Sequence, residues 1–162
     1  MATVIKDVQQ QEVLGHVMSV LESNIASIDE VIKIYESGNH LRKIWWGDQM
    51  VLSAFPCITL EPLSNTLTWG ATNYTQENTY TLRIFCYVKN IAKEIMVQYL
   101  VAFAEVVRRI LTHPDTLQFT TASGSVYDSW VSSVIFGTKE GGALRVAQLD
   151  YSATSWSPGI KA

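Results

Sequence analysis

Hydrophobic residues in the first quarter of the chain recur at alternating steps of four and three, which is the period of an α-helix. The stripe consists of Leu14, Met18, Leu21, Ile25, Ile28, Ile32 and Tyr35. It predicts one long helix over residues 7–36, with Asp7 as the N-cap and Gly38 in a left-handed C-terminal cap. The helix could pair with a second chain as a coiled coil or lie on a sheet. Its isolation among strand-like segments favours the sheet.

Two strand-like segments follow, separated by a long polar stretch. Residues 50–62 are apolar but contain Pro56, which lacks an amide hydrogen and predicts an irregular strand or a sheet edge. The second segment alternates strictly and predicts a strand whose apolar face carries Tyr80, Leu82, Ile84, Cys86 and Val88. Between them, residues 61–79 are rich in Asn and Thr and hold two charged residues, Glu61 and Glu77. The stretch therefore predicts a long loop between two strands.

A second helix is predicted after Asn90, which occupies an N-cap position, and it ends before Pro114. Its apolar face is so wide that burial on more than one side is expected. That face comprises Ile91, Ile95, Met96, Tyr99, Leu100, Val101, Phe103, Val106, Val107, Ile110 and Leu111.

The rest of the chain predicts three strands. They cover residues 116–121, 125–137 and 143–156, and a glycine-rich hairpin connection at 137–142 joins the last two. In the middle strand, alternation places Val126, Trp130, Val134 and Phe136 on one face.

The order of these elements predicts a single α+β domain over residues 1–162. A mostly antiparallel sheet carries two main helices packed on one face, with the long loop between the first two strands. A length of 162 residues and a hydrophobic content of 48% agree with one packed core. No apolar run approaches the ~20 residues that cross a bilayer, and the first residues do not have the pattern of a secretory signal. We therefore expect no membrane partner.

The charge distribution argues against direct contact with nucleic acid. Residues 1–36 hold six acidic and two basic residues, whereas the remaining chain holds nine acidic and ten basic residues. No basic cluster is larger than Arg42 with Lys43 or Arg108 with Arg109. Binding to a phosphate backbone needs several converging cations, so specific DNA or RNA binding is not expected.

Candidate chemistry is sparse. His16, His40 and His113 do not have metal-ligand spacing, and no nucleophile-elbow, Walker or dinucleotide-binding motif is present. Cys57 and Cys86 lie in apolar strand-like sequence, which favours buried free thiols over a disulfide. We therefore predict no catalytic residue, no metal site and no cofactor.

Aromatic residues point instead to assembly. Five Trp and seven Tyr are present, and several lie in predicted loops or late in predicted strands: Trp45, Trp46, Trp69, Tyr74 and Trp156. Aromatic side chains are enriched at protein interfaces, where they bury much area at little entropic cost. An uncharged polar loop with aromatic anchors is better suited to ordering against another subunit than to permanent solvation.

The order of elements and three segments resemble the tail-terminator and related head–tail joining (neck) proteins of tailed bacteriophages. The segments are "FPCITLEP", "TLRIFCYVKN" followed by a helix, and "YDSWVSSVIFGTKEGGALRVAQLDYSATSW". The resemblance covers residues 10–156 and is one of architecture, without a diagnostic motif. The long acidic first helix is a departure from the family pattern.

The resemblance implies a virion protein at the head–tail junction, assembled in the host cytoplasm. It would form a homohexameric ring that caps the tail tube protein and binds a head connector, adaptor or stopper protein. DNA would pass through the ring without specific binding. The long loop would reach into the ring, with interface residues Leu63, Leu67, Trp69, Asn73 and Tyr74. The acids Glu22, Asp29 and Glu36 would face solvent or the DNA path.

Two alternatives stay open at this point. The chain could be another neck or tail-completion subunit, or a small cytosolic ligand-binding or enzymatic α+β domain. The second alternative would use the segment "WWGDQ" at residues 45–49, with Asp48 beside two tryptophans. A simpler interpretation of the two tryptophans is that they anchor a loop over the core.

Overall fold

The structure is a computed structural model that describes residues 8–47, 52–69, 75–89 and 93–158. The elements are α1 (Gln10–Ser23), α2 (Ile25–Tyr35), β1 (Lys43–Trp46), β2 (Cys57–Trp69), β3 (Thr75–Lys89), α3 (Lys93–Leu111), β4 (Phe119–Thr120), β5 (Ser125–Lys139) and β6 (Leu144–Pro158). The strands form one sheet in the order β1-β2-β3-β6-β5-β4, and only the β1–β2 pair is parallel. The predicted α+β class with a mostly antiparallel sheet is confirmed.

The main core lies between one face of the sheet and the helices. Helices α1 and α3 contact the strands directly, and α2 packs on α3. The alternation predicted for β3 is confirmed, because Tyr80, Leu82, Ile84, Cys86 and Val88 all lie on this helix-packed face and are buried. A smaller cluster of Cys57, Tyr87 and Leu144 covers part of the opposite face, which we call the outer face, together with Trp45, Leu52, Phe55, Phe85 and Val146.

The predicted single helix over residues 7–36 is wrong in one respect, because it is broken at Asn24 into α1 and α2. The side-chain amide of Asn24 donates to the carbonyl oxygen of Val20 at 2.8 Å. Asparagine side chains compete with helical backbone hydrogen bonds in this way. The hydrophobic residues keep their period of 3.6 on both sides of Asn24, so the sequence pattern does not show that the helix is broken there. Helix α1 begins after Gln9, and the predicted cap Asp7 lies outside the described residues. Gly38 has the predicted positive φ, 81°.

The predicted loop over residues 61–79 is largely strand. β2 continues to Trp69 and β3 begins at Thr75, so the two form a long hairpin whose tip lies outside the described residues. Polar Ser, Asn and Thr occupy the ladder here because residues 62–68 of β2 are exposed on both faces of the sheet. The sequence therefore lacks the hydrophobic alternation that would have revealed a strand. A bulge at Leu63 interrupts the register between Pro62 and Ser64.

Two smaller corrections concern the ends of the sheet. Strand β1 falls in the segment interpreted as a connector, and its four residues pair with Cys57–Leu60. β2 begins directly after Pro56, where a residue without an amide hydrogen is tolerated.

The predicted common face of β5 is also wrong for Trp130. Bulges at Tyr127 and Ser132 shift the alternation, so Trp130 lies on the outer face whereas Val126, Val134 and Phe136 lie on the helix-packed face. One extra residue in a strand moves every later side chain to the other face. The turn between β5 and β6 has the expected positive φ at Gly141 and Gly142.

Candidate assembly site

The distal half of β2 is the segment predicted to be an interface, and the structure leaves it exposed. We call residues 61–69, with their β3 partners at 76–83, the arm. β1 pairs with β2 only as far as Leu60, so within the described residues the outer edge of β2 is unpaired from Glu61 to Trp69. Leu63 is 44% exposed and Leu67 is 54% exposed. Residues 62–68 contain no charged side chain.

The other predicted interface residues fall at the tip. Trp69 is the last residue of β2, and Asn73 and Tyr74 lie outside the described residues. The interface role of all five residues stays a prediction. The strand that brings Leu63, Leu67 and Trp69 together places Leu67 on the helix-packed face, where it lines a groove with Asn65, Gln76 and Tyr80.

Hydrogen bonds and one stacked ring pair connect the arm to neighbouring elements. The side-chain amide of Gln10 at the start of α1 donates to the carbonyl oxygen of Ser64 at 3.3 Å. On the outer face, the Tyr127 hydroxyl donates to Glu77 at 2.8 Å, and the Tyr127 ring stacks on Trp156 with centroids 5.7 Å apart. Burial, followed by the hydrogen bond to Glu77, raises the pKa of Tyr127. The phenol therefore stays protonated and acts as the donor at neutral pH.

A second open edge lies at the far side of the sheet, on β5. β4 pairs with β5 only at Ser125 and Val126, so in the described part of the chain residues 128–139 of β5 have no neighbour beyond them. Ile135 is 55% exposed on the outer face and Phe136 is 48% exposed on the helix-packed face. Residues 129–138 contain no charged side chain. This uncharged segment carries apolar side chains on both faces of the sheet, which alone does not distinguish an edge strand from a central one.

Helix α3 adds an apolar strip beside this edge. The expectation that it is buried on more than one side is not met within the chain, because Ile95, Val97 and Val101 are exposed. Val97 and Val101 form one wall of a groove of about 420 Å³, and Phe136 and Arg145 line the other side. The Nε atom of Arg145 is buried and has no hydrogen-bond partner in the described residues. Large contiguous apolar patches mark interaction sites in soluble proteins, so the strip is a candidate for one.

The three predicted acids occupy different environments. Glu22 is exposed on α1. Asp29 is half-buried and accepts a hydrogen bond from the backbone amide of Leu41 at 2.7 Å. Glu36 is half-buried and accepts from the side chain of Asn39. The carboxylates of Asp29 and Glu36 therefore tie α2 to the connection that leads into β1. That the three acids face solvent or the DNA path stays a prediction.

Groups with chemical reactivity are buried or scattered. Cys57 and Cys86 are buried free thiols, and burial raises the pKa of Cys57 to about 12 and that of Cys86 further. His16 stacks on Phe119 with ring centroids 3.6 Å apart, and burial lowers its pKa. Among the described residues, no group of three or more His, Cys, Asp or Glu side chains is placed to hold a metal ion.

The "WWGDQ" segment is divided by the structure. Trp45 packs into the outer-face cluster and Trp46 lies near Gly15 of α1, both from strand β1, whereas Asp48 and Gln49 lie outside the described residues. The tryptophans therefore attach β1 to the domain on both sides of the sheet. The described helices include none that is both long and apolar enough to cross a membrane.

Comparison with known proteins gives a likeness in fold. No protein-family model matches the chain, and no curated protein matches it in sequence. Among solved structures, it is similar to a chain in the virion of a native gene transfer agent particle, with a TM-score of 0.60 and 11% sequence identity. The similarity covers 92% of this chain and 96% of that one, so the whole domain is shared and not one motif within it.

Proposed function

We propose that this protein is a structural subunit of a phage-like virion, where it forms a ring at the head–tail junction. The ring caps the tail tube, binds the head connector and leaves a passage for DNA. The observation that carries this proposal is the fold, which is similar over nearly the full length of both chains to that of a virion subunit of a gene transfer agent. The resemblance of the sequence to tail terminators supplies the finer position at the junction.

The exposed surfaces support assembly as the role of the domain. The arm, the open edge of β5 and the apolar strip on α3 expose backbone and side chains that monomeric proteins usually cover or charge. The sequence holds no run of more than two adjacent basic residues, which agrees with a conduit that DNA crosses without adhering. The raised pKa values of both cysteines argue against thiolate chemistry.

The test is reconstitution with the proposed partners. The chain is co-expressed with the tail tube protein and the connector encoded beside it, and the complexes are weighed by native mass spectrometry. We expect a cyclic homo-oligomer, six-fold by the family resemblance, bound to the end of the tube. A strict monomer inside assembled particles would overturn the proposal.

A second experiment omits the chain from the assembly reaction. Assembly without it should yield heads and tails that remain separate, and adding the purified chain should join them. If the chain instead co-purifies only with a different ring of the neck, it is a neighbouring tail-completion subunit. A matched control is Ile34→Ser, which removes an exposed apolar side chain from α2, away from the arm and the β5 edge, and should leave joining unchanged.

A further inference from the structure

The two open edges of the sheet belong to strands of opposite direction. β2, β3, β6 and β5 are consecutive antiparallel neighbours, so β2 and β5 run in opposite senses. Rotation about a ring axis leaves the direction of a strand along that axis unchanged, so β2 of one copy would meet β5 of the next in opposite senses where the strands run along the axis. The two edges would therefore meet as an antiparallel pair, which is the arrangement with the better-aligned hydrogen bonds.

The chemistry of the two edges is also compatible. Proteins protect exposed edges with charges, proline or bulges, and none of these occurs in residues 64–68 of β2 or residues 133–138 of β5, which follow Pro62 and the bulges at Leu63 and Ser132. Their backbone donors and acceptors would find partners in each other, and no charged side chain would lose its solvation. Both edges are long enough for a ladder of several residues, so main-chain hydrogen bonds could supply much of the affinity.

The faces of the sheet match as well. Leu67 of the arm and Phe136 of β5 both lie on the helix-packed face. If the sheet continued from one copy into the next, Leu67 would lie on the same side as the groove that Val97 and Val101 form with Phe136. Leu67 and the exposed apolar strip on α3 would then fall on the same side of the joint between the two copies.

We infer that the arm of one copy adds as a strand to the open edge of β5 in the next copy, so that one continuous sheet runs around the assembly. The occupant of the β5 edge is thus the β2 strand of a second copy of this chain. This inference rests on the proposed ring and specifies the contact that closes it.

Paired cysteines test the contact. Thr66 is exposed on the outer face of the arm, and Ser133 and Ile135 lie on the outer face of β5. We would combine Thr66→Cys with Ser133→Cys or with Ile135→Cys and oxidise the assembled protein. A disulfide needs Cβ atoms about 3.5–4.5 Å apart, whereas β2 and β5 of one chain are three strand spacings, roughly 14 Å, apart. A bond between these positions must therefore join two chains.

Two control variants keep the test specific. Thr66→Cys with Thr138→Cys places the second thiol on the helix-packed face, which a strand pair in register cannot bring to Thr66. Thr66→Cys with Ile34→Cys reports random collision, because Ile34 is exposed on α2. The native Cys57 and Cys86 are buried and should not contribute. Thermal melts of all variants check that each chain folds.

We expect covalent multimers, up to the full ring, from at least one outer-face pair and from neither control. If native mass spectrometry shows a ring but no outer-face pair links, the inference is wrong and the proposed ring stands. If the folded variants stay monomeric in the presence of the tail tube protein, both the inferred contact and the proposed ring are wrong. Cross-links to the tube protein in place of a second copy, or equal linking by the Ile34 control, would also overturn the inference.

Discussion

The two halves of the β2–β3 hairpin share one ladder but differ in what surrounds them. In the basal half, Cys57–Leu60 has β1 on one side and β3 on the other, and Ile58 and Leu60 are fully buried beneath the helices. In the arm, residues 62–68 are all exposed, and β3 is the only strand paired with them among the described residues. Residues 62–68 thus form a strand that adds no buried residue to the core.

The difference separates two sources of strand formation. Burial of apolar area specifies the basal half, whereas backbone pairing with β3 carries the strand outward into the arm, beyond the bulge at Leu63. Stability and assembly should therefore depend on different residues of one hairpin. The predictions below test this separation, in order of their expected effect on the free energy of unfolding.

The largest effect is expected in the basal half. Leu60→Ala should lower the free energy of unfolding by about 2–5 kcal/mol, because it removes a fully buried side chain and leaves a cavity. Urea denaturation would measure the loss in unfolding free energy, and the m-value should stay unchanged. The matched control is Leu63→Ala in the same strand, which should change stability by about 0.5 kcal/mol or less. Equal losses from both would contradict the division between the two halves.

A smaller loss is expected where α1 begins. The Glu12 carboxylate accepts hydrogen bonds from the Gln9 amide at 2.9 Å, from Ser123 at 2.9 Å and from Thr121 at 3.1 Å. Glu12→Ala should cost about 1 kcal/mol, as for other helix-capping residues. Glu22→Ala, at an exposed position of the same helix, is the control and should change little.

The Glu12 contribution should also depend on pH. The Gln9 amide hydrogen bond, more than any other cause, lowers the pKa of Glu12 from its ordinary value of 4.5. Its contribution to stability is therefore complete above the ordinary pKa and is lost as the pH falls below that value. The difference in unfolding free energy between the wild type and Glu12→Ala should shrink on acidification. A difference that is constant from pH 7 to pH 3 would contradict this.

The ion pairs at the end of α3 should contribute less. Glu105 accepts hydrogen bonds from Arg108 at 2.6 Å and Arg109 at 2.9 Å, and these lower its pKa to about 2. The carboxylate is 39% exposed, so solvent screens the interaction. Glu105→Gln should cost a few tenths of a kcal/mol at neutral pH, and this loss should diminish in 1 M salt. Because the folded pKa is depressed, the contribution is present above about 4.5 and disappears as the pH falls through about 2.

The smallest effect on stability is expected in the arm. Leu63→Ser combined with Leu67→Ser should leave the free energy of unfolding unchanged within about 0.5 kcal/mol and with no systematic loss, because both side chains are exposed. Trp69→Ala combined with Tyr74→Ala is expected to behave in the same way at the tip. Both double variants should nevertheless abolish ring formation, as truncated interface anchors do. Thermal melts paired with sizing of the complex with tail tube protein measure the two effects. A variant that melts normally and still assembles would remove the arm from the interface.

The sequence predicted the elements whose burial is one-sided and regular. β3, α3 and the core stripe of the first helix follow from alternation or from a period of 3.6, because the core imposes that pattern on them. The break at Asn24 and the bulges at Tyr127 and Ser132 change the backbone without changing the local composition, so the pattern does not record them.

The arm and the β5 edge show why the candidate site was found only in part. The sequence marked residues 61–79 as unusual but favoured a loop, because a strand that is exposed on its own carries no hydrophobic alternation. The β5 edge was predicted as an ordinary strand, since only sheet order shows that β4 leaves residues 128–139 without a neighbour. Sheet order depends on contacts between distant segments, and a single sequence does not specify them.

The bulges at Leu63 and Ser132 have a consequence for when the subunits assemble. Each interrupts an exposed edge, so two copies that collide in solution cannot zip together along a smooth ladder. Newly made chains should therefore accumulate as monomers over a wide range of concentration and polymerise slowly by themselves. A finished tube end that holds several copies side by side would remove this kinetic barrier. Because of these two bulges, the presence of a finished tube end, and not the concentration of subunits, would determine when the continuous sheet closes into a ring.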